Sequence, residues 1–263
     1  MAETLLVGGL TVVADRSGPA THSPVLFIPG YFADAFVFDR WLPFFAARGF
    51  PAFAVNLRGR AGSSREIDVG RVRVGEYVED ALRIARWIGR PLVVGHSMGG
   101  LIAQKLAEQG DARAVALMCP APPRGIPVLS WRLLAKQVKY LPALLASRPL
   151  RPSRADAYDL VLNRVPAEER DAIFARLVPD SGRAGREMSI LGVPVDASRV
   201  RCPIFVVTCD DDRFIPKRVV KRIAERYHAP LQTMIGHGHM LPCEPGWEVA
   251  ADVVVRWFMS LRP

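Results

Sequence analysis

The ten residues from Pro91 to Gly100, Pro-Leu-Val-Val-Gly-His-Ser-Met-Gly-Gly, constrain this chain more than any other stretch. Leu92, Val93 and Val94 form a short apolar run of the kind that fills a buried parallel strand, and Met98 to Glu108 continues with helical period. Ser97 therefore falls at a strand-to-helix turn. Gly95 and Gly99 bracket it as Gly-x-Ser-x-Gly, because the strand and helix backbones pass close to the serine and leave no room for a Cβ. Such a turn pushes the hydroxyl out at the end of a sheet and onto a helix N-terminus, where unpaired N–H groups favour developing negative charge. That is the geometry an acyl-transfer nucleophile needs. A bare Gly-x-Ser-x-Gly also fits a simple helix N-cap; the flanking strand and helix select the nucleophile reading.

The rest of the chain supplies a sheet to carry that turn. Thr4 to Ala14 reads as a hairpin around Gly8-Gly9, and buried strands are predicted at Val25–Ile28, Ala52–Asn56, Ala114–Met118, Pro203–Thr208 and Leu231–Ile235. Helical runs fall between them at about Val37–Ala47, Val74–Ile88 and Lys217–Tyr227, with a closing helix at Gly246–Leu261. From Ala121 to about Arg201 the pattern changes. Pro122-Pro123, Pro127, Pro142, Pro149 and Pro152 separate short helical runs at Leu129–Lys139, Leu141–Ala146, Ala155–Asn163 and Ala167–Leu177, and Gly182, Gly185 and Gly192 loosen the stretch before the next strand. At 263 residues, half of them hydrophobic, the chain is long enough for one α/β domain with an insertion. The expected division is a core of residues 1–121 and 202–263 and a helical cap insertion at about 122–201.

Three loops carry candidate chemistry. Pro29-Gly30-Tyr31-Phe32 follows the strand Val25–Ile28, two βα units before the serine. It reads as an oxyanion hole in which the Tyr31 N–H joins the Met98 N–H, each such donor typically contributing about 3–4 kcal/mol in the transition state. Asp210-Asp211-Asp212 follows a late strand, and Gly236-His237-Gly238-His239 follows the last one. The order Ser…Asp…His, each at the C-terminal end of a strand, lets residues distant in sequence converge on one edge of a parallel sheet.

Gly95-His96-Ser97-Met98-Gly99-Gly100, Asp212-Arg213-Phe214-Ile215-Pro216 and Gly236-His237-Gly238-His239-Met240 with Glu244-Pro245-Gly246-Trp247 together resemble a capped member of the α/β-hydrolase superfamily over essentially the whole chain. The resemblance implies a mostly parallel central sheet with helices on both faces and a helical cap. It implies that Ser97 attacks an acyl carbon, that His239 takes and returns the proton, and that Asp212 fixes the imidazole tautomer. Asp212 is the family's acid because it lies four residues before the proline; Asp210 and Asp211 are then loop or solvent carboxylates. His239 is preferred to His237 because the family's histidine opens the final loop just before the closing segment. His237 is expected to hydrogen-bond within that loop and His96 to be structural. Two departures stand out: Pro29-Gly30 replaces the common His-Gly, and Asn56-Leu57-Arg58-Gly59-Arg60 replaces the common Asp-x-Arg-Gly-His. A serine at the nucleophile position disfavours dehalogenase and epoxide hydrolase chemistry, which uses an aspartate there.

The expectation is a cofactor-independent serine hydrolase of carboxylic esters, with a small or medium hydrophobic substrate held by Tyr31, Phe32, Trp131, Leu134, Tyr140 and Leu144. A thioesterase, a lactonase, a lysophospholipase or monoacylglycerol lipase, or a carbon–carbon bond hydrolase would use the same residues; an acyltransferase or a non-catalytic ligand-binding module are lower alternatives. Cys119, Cys202, Cys209 and Cys243 lack metal-ligand or disulfide-framework spacing, so no metal is expected. The net charge of +9 could suit an anionic partner, but the arginines are spread along the chain without a basic block, which argues against nucleic acid. Met1–Leu10 lacks a basic n-region and no run approaches the roughly 20 apolar residues of a membrane span, so a soluble, cytoplasmic protein without an integral membrane segment is expected. The sequence does not set an oligomeric state.

Overall fold

The computed structural model describes residues 2–63, 67–128, 133, 135–136 and 138–261. Ten strands lie among them: β1 Glu3–Val7, β2 Leu10–Asp15, β3 Val25–Ile28, β4 Ala52–Val55, β5 Leu92–His96, β6 Ala114–Met118, β7 Pro149–Leu150, β8 Asp180–Ser181, β9 Ile204–Cys209 and β10 Leu231–Met234. Eight form one sheet in the order β1-β2-β4-β3-β5-β6-β9-β10. The β1–β2 hairpin and the β2–β4 pair are antiparallel, and from β4 to β10 every pairing is parallel. The parallel register places Ile28 beside Gly95 and Gly95 beside Leu117, so the loops leaving β3, β5, β6 and β9 emerge along one edge.

The strands are apolar on both sides because both faces are covered. Leu26, Ile28, Val93, Val115, Leu117 and Val206 face the helices α2 Val74–Ile88, α3 Met98–Gln109 and the later helix Lys217–Arg226. Val25, Phe27, Val94, Ala116 and Val207 face α1 Trp41–Ala46 and the closing helix Trp247–Ser260, where Phe27, Phe38, Trp41 and Phe45 pack ring against ring. Continuous apolar runs in the sequence are thus two alternating sets of core residues.

Local chemistry changes several elements from their sequence reading. The helix expected over 37–47 is a 3-10 turn, Ala35–Phe38, capped by Asp34, followed by α1. Pro43 has no N–H to bond back four residues, so it is tolerated only in the first turn of a fresh helix. The run at Ala155–Asn163 is a short helix, Arg154–Asp156, continuing as the π-helical turn Ala157–Val161. Residues 182–191, expected to be loosened by their glycines, are instead helix Gly182–Arg186 and the π-helical Glu187–Leu191, started by the Ser181 hydroxyl accepting from Ala184 N–H at 3.1 Å. The two-residue ladder β7–β8 has no signal in the residue pattern. Most of the helix expected at Leu129–Lys139, including Trp131 and Leu134, lies outside the described residues.

Candidate active site

Ser97 stands between β5 and α3 with φ 54° and ψ −119°, a conformation that costs a non-glycine residue about 1–3 kcal/mol. The surroundings impose it. Ser97 N–H donates to Met118 O at 3.0 Å, and Ser97 O accepts from Gly100 N–H at 2.9 Å and Ala121 N–H at 2.8 Å. At Gly99 a Cβ would lie 2.0 Å from the Ile28 carbonyl oxygen, so only glycine lets α3 start this close to β3. The hydroxyl is thereby held at the sheet edge.

His239, after β10, and Asp212, after β9, meet it there. His239 Nε2 is 3.0 Å from Ser97 Oγ and His239 Nδ1 is 2.9 Å from Asp212 Oδ2. All three side chains are buried. Asp212 Oδ1 accepts from Phe214 N–H at 2.9 Å and Ile215 N–H at 2.8 Å, so the carboxylate is locked in place and acts only as an acceptor. Nδ1 must then carry the imidazole proton, which leaves the Nε2 lone pair facing the serine hydroxyl. An O–H aimed at such a nitrogen is set up to lose its proton as it attacks an electrophile.

The neighbouring candidates fall into supporting positions. His237 Nδ1 is 3.2 Å from Glu244 Oε2, which also accepts from Gly238 N–H at 2.8 Å and so ties the final loop together. His96 Nε2–H donates to His239 O at 2.8 Å, and burial followed by the neighbouring His239 pushes its pKa down to about 3. It is neutral at pH 7. Asp210 accepts from Gly236 N–H, whereas Asp211 reaches Arg164 Nε at 2.6 Å and so binds the loop to the segment inserted between β6 and β9. Cys119 Sγ lies with a carboxylate oxygen of Asp212 and a ring nitrogen of His239 within 4.8 Å, a donor set a soft metal could bridge. Binding there would displace the Asp212–His239 bond. The hydrogen bond to Cys209 at 3.5 Å and complete burial hold the Cys119 thiol well above its ordinary range, which opposes the thiolate a metal needs.

A cavity of about 580 Å³ opens over the serine. Tyr31, Phe32, Met98 and Phe214 line it from the core, and Leu133, Tyr140, Leu144, Leu160 and Leu177 from the inserted segment. Of the residues expected to hold a substrate, Tyr31, Phe32, Tyr140 and Leu144 are there; Trp131 and Leu134 lie outside the described residues. Residues 30–33 form a turn closed by Ala33 N–H on Gly30 O at 3.3 Å, with Phe32 at φ 66°. The Tyr31 hydroxyl donates to Ser181 O at 2.5 Å, and burial followed by the nearby Asp180 carboxylate raises its pKa well above the usual tyrosine range. Two residues with no assigned part in the sequence reading, Arg60 and Asp180, are buried against this turn. The only sign of them in the sequence is the Arg60 departure in the loop after β4.

The model of the alpha/beta hydrolase family matches residues 25–256. The chain belongs to the α/β hydrolase family. A comparison with curated proteins finds no match. Solved structures of a hydrolase, an esterase and a lipase superpose over nearly the whole chain. A hydrolase from Pseudomonas aeruginosa has a TM-score of 0.73 at 18% identity, covering 99% of this chain and 98% of its own. An esterase from Rhodococcus sp. has a TM-score of 0.72 at 18% identity, covering 99% of each chain. A monoacylglycerol lipase from Paleococcus ferrophilus has a TM-score of 0.71 at 20% identity, covering 98% of this chain and 99% of its own. At these identities the likeness is one of fold, and each substrate belongs to the relative. Among the described residues of this α/β hydrolase, no helix is long and apolar enough to cross a membrane.

Proposed function

We propose that the chain is a serine hydrolase of carboxylic esters with hydrophobic acyl or alcohol groups, and that residues of about 122–201 act as its cap. The reading rests on one observation above all: the unbroken chain from Ser97 Oγ through His239 to Asp212, at 3.0 and 2.9 Å, at the floor of an apolar cavity.

In this mechanism Ser97 Oγ attacks the ester carbonyl while its proton passes to His239 Nε2, and Asp212 stabilises the imidazolium. The carbonyl oxygen becomes an oxyanion facing the Tyr31 and Met98 N–H groups. Collapse breaks the bond to the alcohol, which leaves with the proton from His239. Water then gives its proton to His239 and attacks the acyl carbon, and a second collapse releases the acid and restores the Ser97 hydroxyl. The site needs no cofactor for either half.

The test is hydrolysis of p-nitrophenyl esters from acetate to palmitate by the wild type and Ser97→Ala. The wild type is expected to turn over part of the series and the variant to lose about 10⁶-fold in kcat at full effect, down to the residual catalysis of the remaining site. Equal rates in the two proteins, or a folded wild type inert to the whole series, would sink the ester reading.

A further inference from the structure

The turn at residues 30–33 is gripped by a buried ion pair whose two halves come from distant parts of the chain. Arg60, in the loop after β4, donates from Nη1 to Gly30 O at 2.8 Å and from Nη2 to Asp180 Oδ2 at 2.5 Å. Asp180, in β8 of the inserted segment, accepts on the same Oδ2 from Phe32 N–H at 2.9 Å. Its Oδ1 accepts from the Tyr77 hydroxyl at 2.6 Å and from Ser181 N–H at 2.7 Å. The two side chains are at most 1% exposed. A pair this deeply desolvated adds little to folding compared with apolar side chains of the same volume, so stability alone does not account for it.

Its bonds explain it better. Gly30 C=O and Tyr31 N–H belong to one trans peptide unit and point in opposite directions. Holding the carbonyl on Arg60 therefore aims the Tyr31 N–H away from the guanidinium. Gly30 itself lies against the nucleophile, since a Cβ added there would come 2.9 Å from Ser97 Cβ, and Gly30, Tyr31, Ser97 and Met98 all border the cavity. The Phe32 N–H bond to Asp180 holds the next residue at its positive φ, which a bulky side chain otherwise avoids. A cation on the carbonyl also polarises the peptide and makes its N–H a stronger donor.

We propose that Arg60 and Asp180 are positioning residues for the oxyanion hole, fixing the Gly30–Tyr31 peptide so that the Tyr31 N–H meets the developing oxyanion. The proposal rests on the hydrolase reading above. It makes the oxyanion hole a joint product of core and inserted segment: Asp180 brings the segment's carboxylate to Arg60 and Phe32, and the turn keeps its shape only while that segment is seated.

The experiment replaces both charges at similar volume, Arg60→Met with Asp180→Leu, because either change alone would leave a buried unpaired charge. Two quantities are read: kcat and KM on a p-nitrophenyl ester, and the inhibition constant of an alkyl trifluoromethyl ketone, measured by protection of Ser97 from a fluorophosphonate. The ketone forms a hemiketal oxyanion on Ser97 and so reports the hole without turnover. Loss of one aligned donor is expected to lower kcat about 100-fold and weaken the ketone by a similar factor, with KM little changed. Retained kcat and ketone affinity in the folded double variant overturn the proposal, and so does a rise in KM with kcat held. If the double variant does not fold, Arg60→Lys decides: it keeps the charge beside Asp180 but offers no planar fork to reach Gly30 O as well, and a wild-type kcat and ketone affinity in it overturn the proposal. A wild type that hydrolyses no ester yet binds the ketone removes the ester reading alone, and the ketone still tests the pair. A Ser97 that neither labels nor binds ketone overturns both.

Discussion

His96 sits beside Ser97 with one ring nitrogen bonded to His239 O and the other, Nδ1, buried without a partner among the described residues. Its pKa of about 3 in the folded protein lies below the 6.5 of a free imidazole, so between these values the unfolded chain binds a proton that the folded one refuses. Stability therefore falls as pH drops through that window, by at most about 1.4 kcal/mol per pH unit from this group, and levels off below it. Asp156 does not enter until lower pH: burial works against ionisation, but hydrogen bonds from Lys139, Tyr140 and Ser153 hold it at about 2, so its contribution is lost only between 3.8 and that value. Denaturant titrations at pH 7 and pH 5 should show the wild type losing up to about 2 kcal/mol more than His96→Gln, whose amide can still donate to His239 O. Equal losses would show that His96 is protonated in the folded state. The sequence made this residue legible only as structural, because its partner is a backbone carbonyl 143 positions away. Arg60 and Asp180 were harder still: 120 residues separate them, Asp180 lies in no motif, and Arg60 shows in the sequence only as a departure from the family's loop.

At the scale of elements, the turn from β5 into α3 was readable because its requirement is local. Gly99 must lack a side chain so that the helix can start against the Ile28 carbonyl, and no flexible group is there to yield to a Cβ at 2.0 Å. Gly99→Ala is expected to cost more than about 3 kcal/mol or to prevent folding. Gly75→Ala, in α2 with nothing within 4 Å of the added carbon, should instead be neutral or stabilising by up to about 1 kcal/mol. Melting of the two variants compares backbone collision with helix propensity directly, and a Gly99→Ala protein as stable as the wild type would remove the close-approach argument. The inserted segment was read less well for the same reason in reverse. Its π-helical turns and the β7–β8 ladder answer to contacts with the core, such as Ser181 Oγ donating to Val72 O at 2.5 Å, rather than to periodicity in their own residues.

The molecule as a whole closes the cavity between a rigid sheet edge and the inserted segment, and the wall chemistry sets which substrates profit from it. Polar side chains on the inserted side are engaged within the segment: the Tyr140 hydroxyl donates to Asp156 Oδ2 at 2.5 Å, Lys136 Nζ lies 2.8 Å from Asp159 Oδ2, and the Ser189 hydroxyl donates to Gly185 O at 2.7 Å. What faces the interior is mainly hydrocarbon from Leu133, Leu144, Leu160 and Leu177. A growing acyl chain should then gain about 0.8 kcal/mol per buried methylene, roughly fourfold in kcat/KM, until the wall is reached. Leu144 belongs to that wall, so Leu144→Ala should move the optimum of the p-nitrophenyl series to a longer chain, at a stability cost of about 2–3 kcal/mol, and Leu144→Phe should move it to a shorter one. Opposite shifts from a deletion and an addition at one position separate pocket shape from general damage, which would lower every chain length together. An optimum unchanged in both variants would place the acyl group elsewhere in the cavity and leave Leu144 facing the alcohol or empty space.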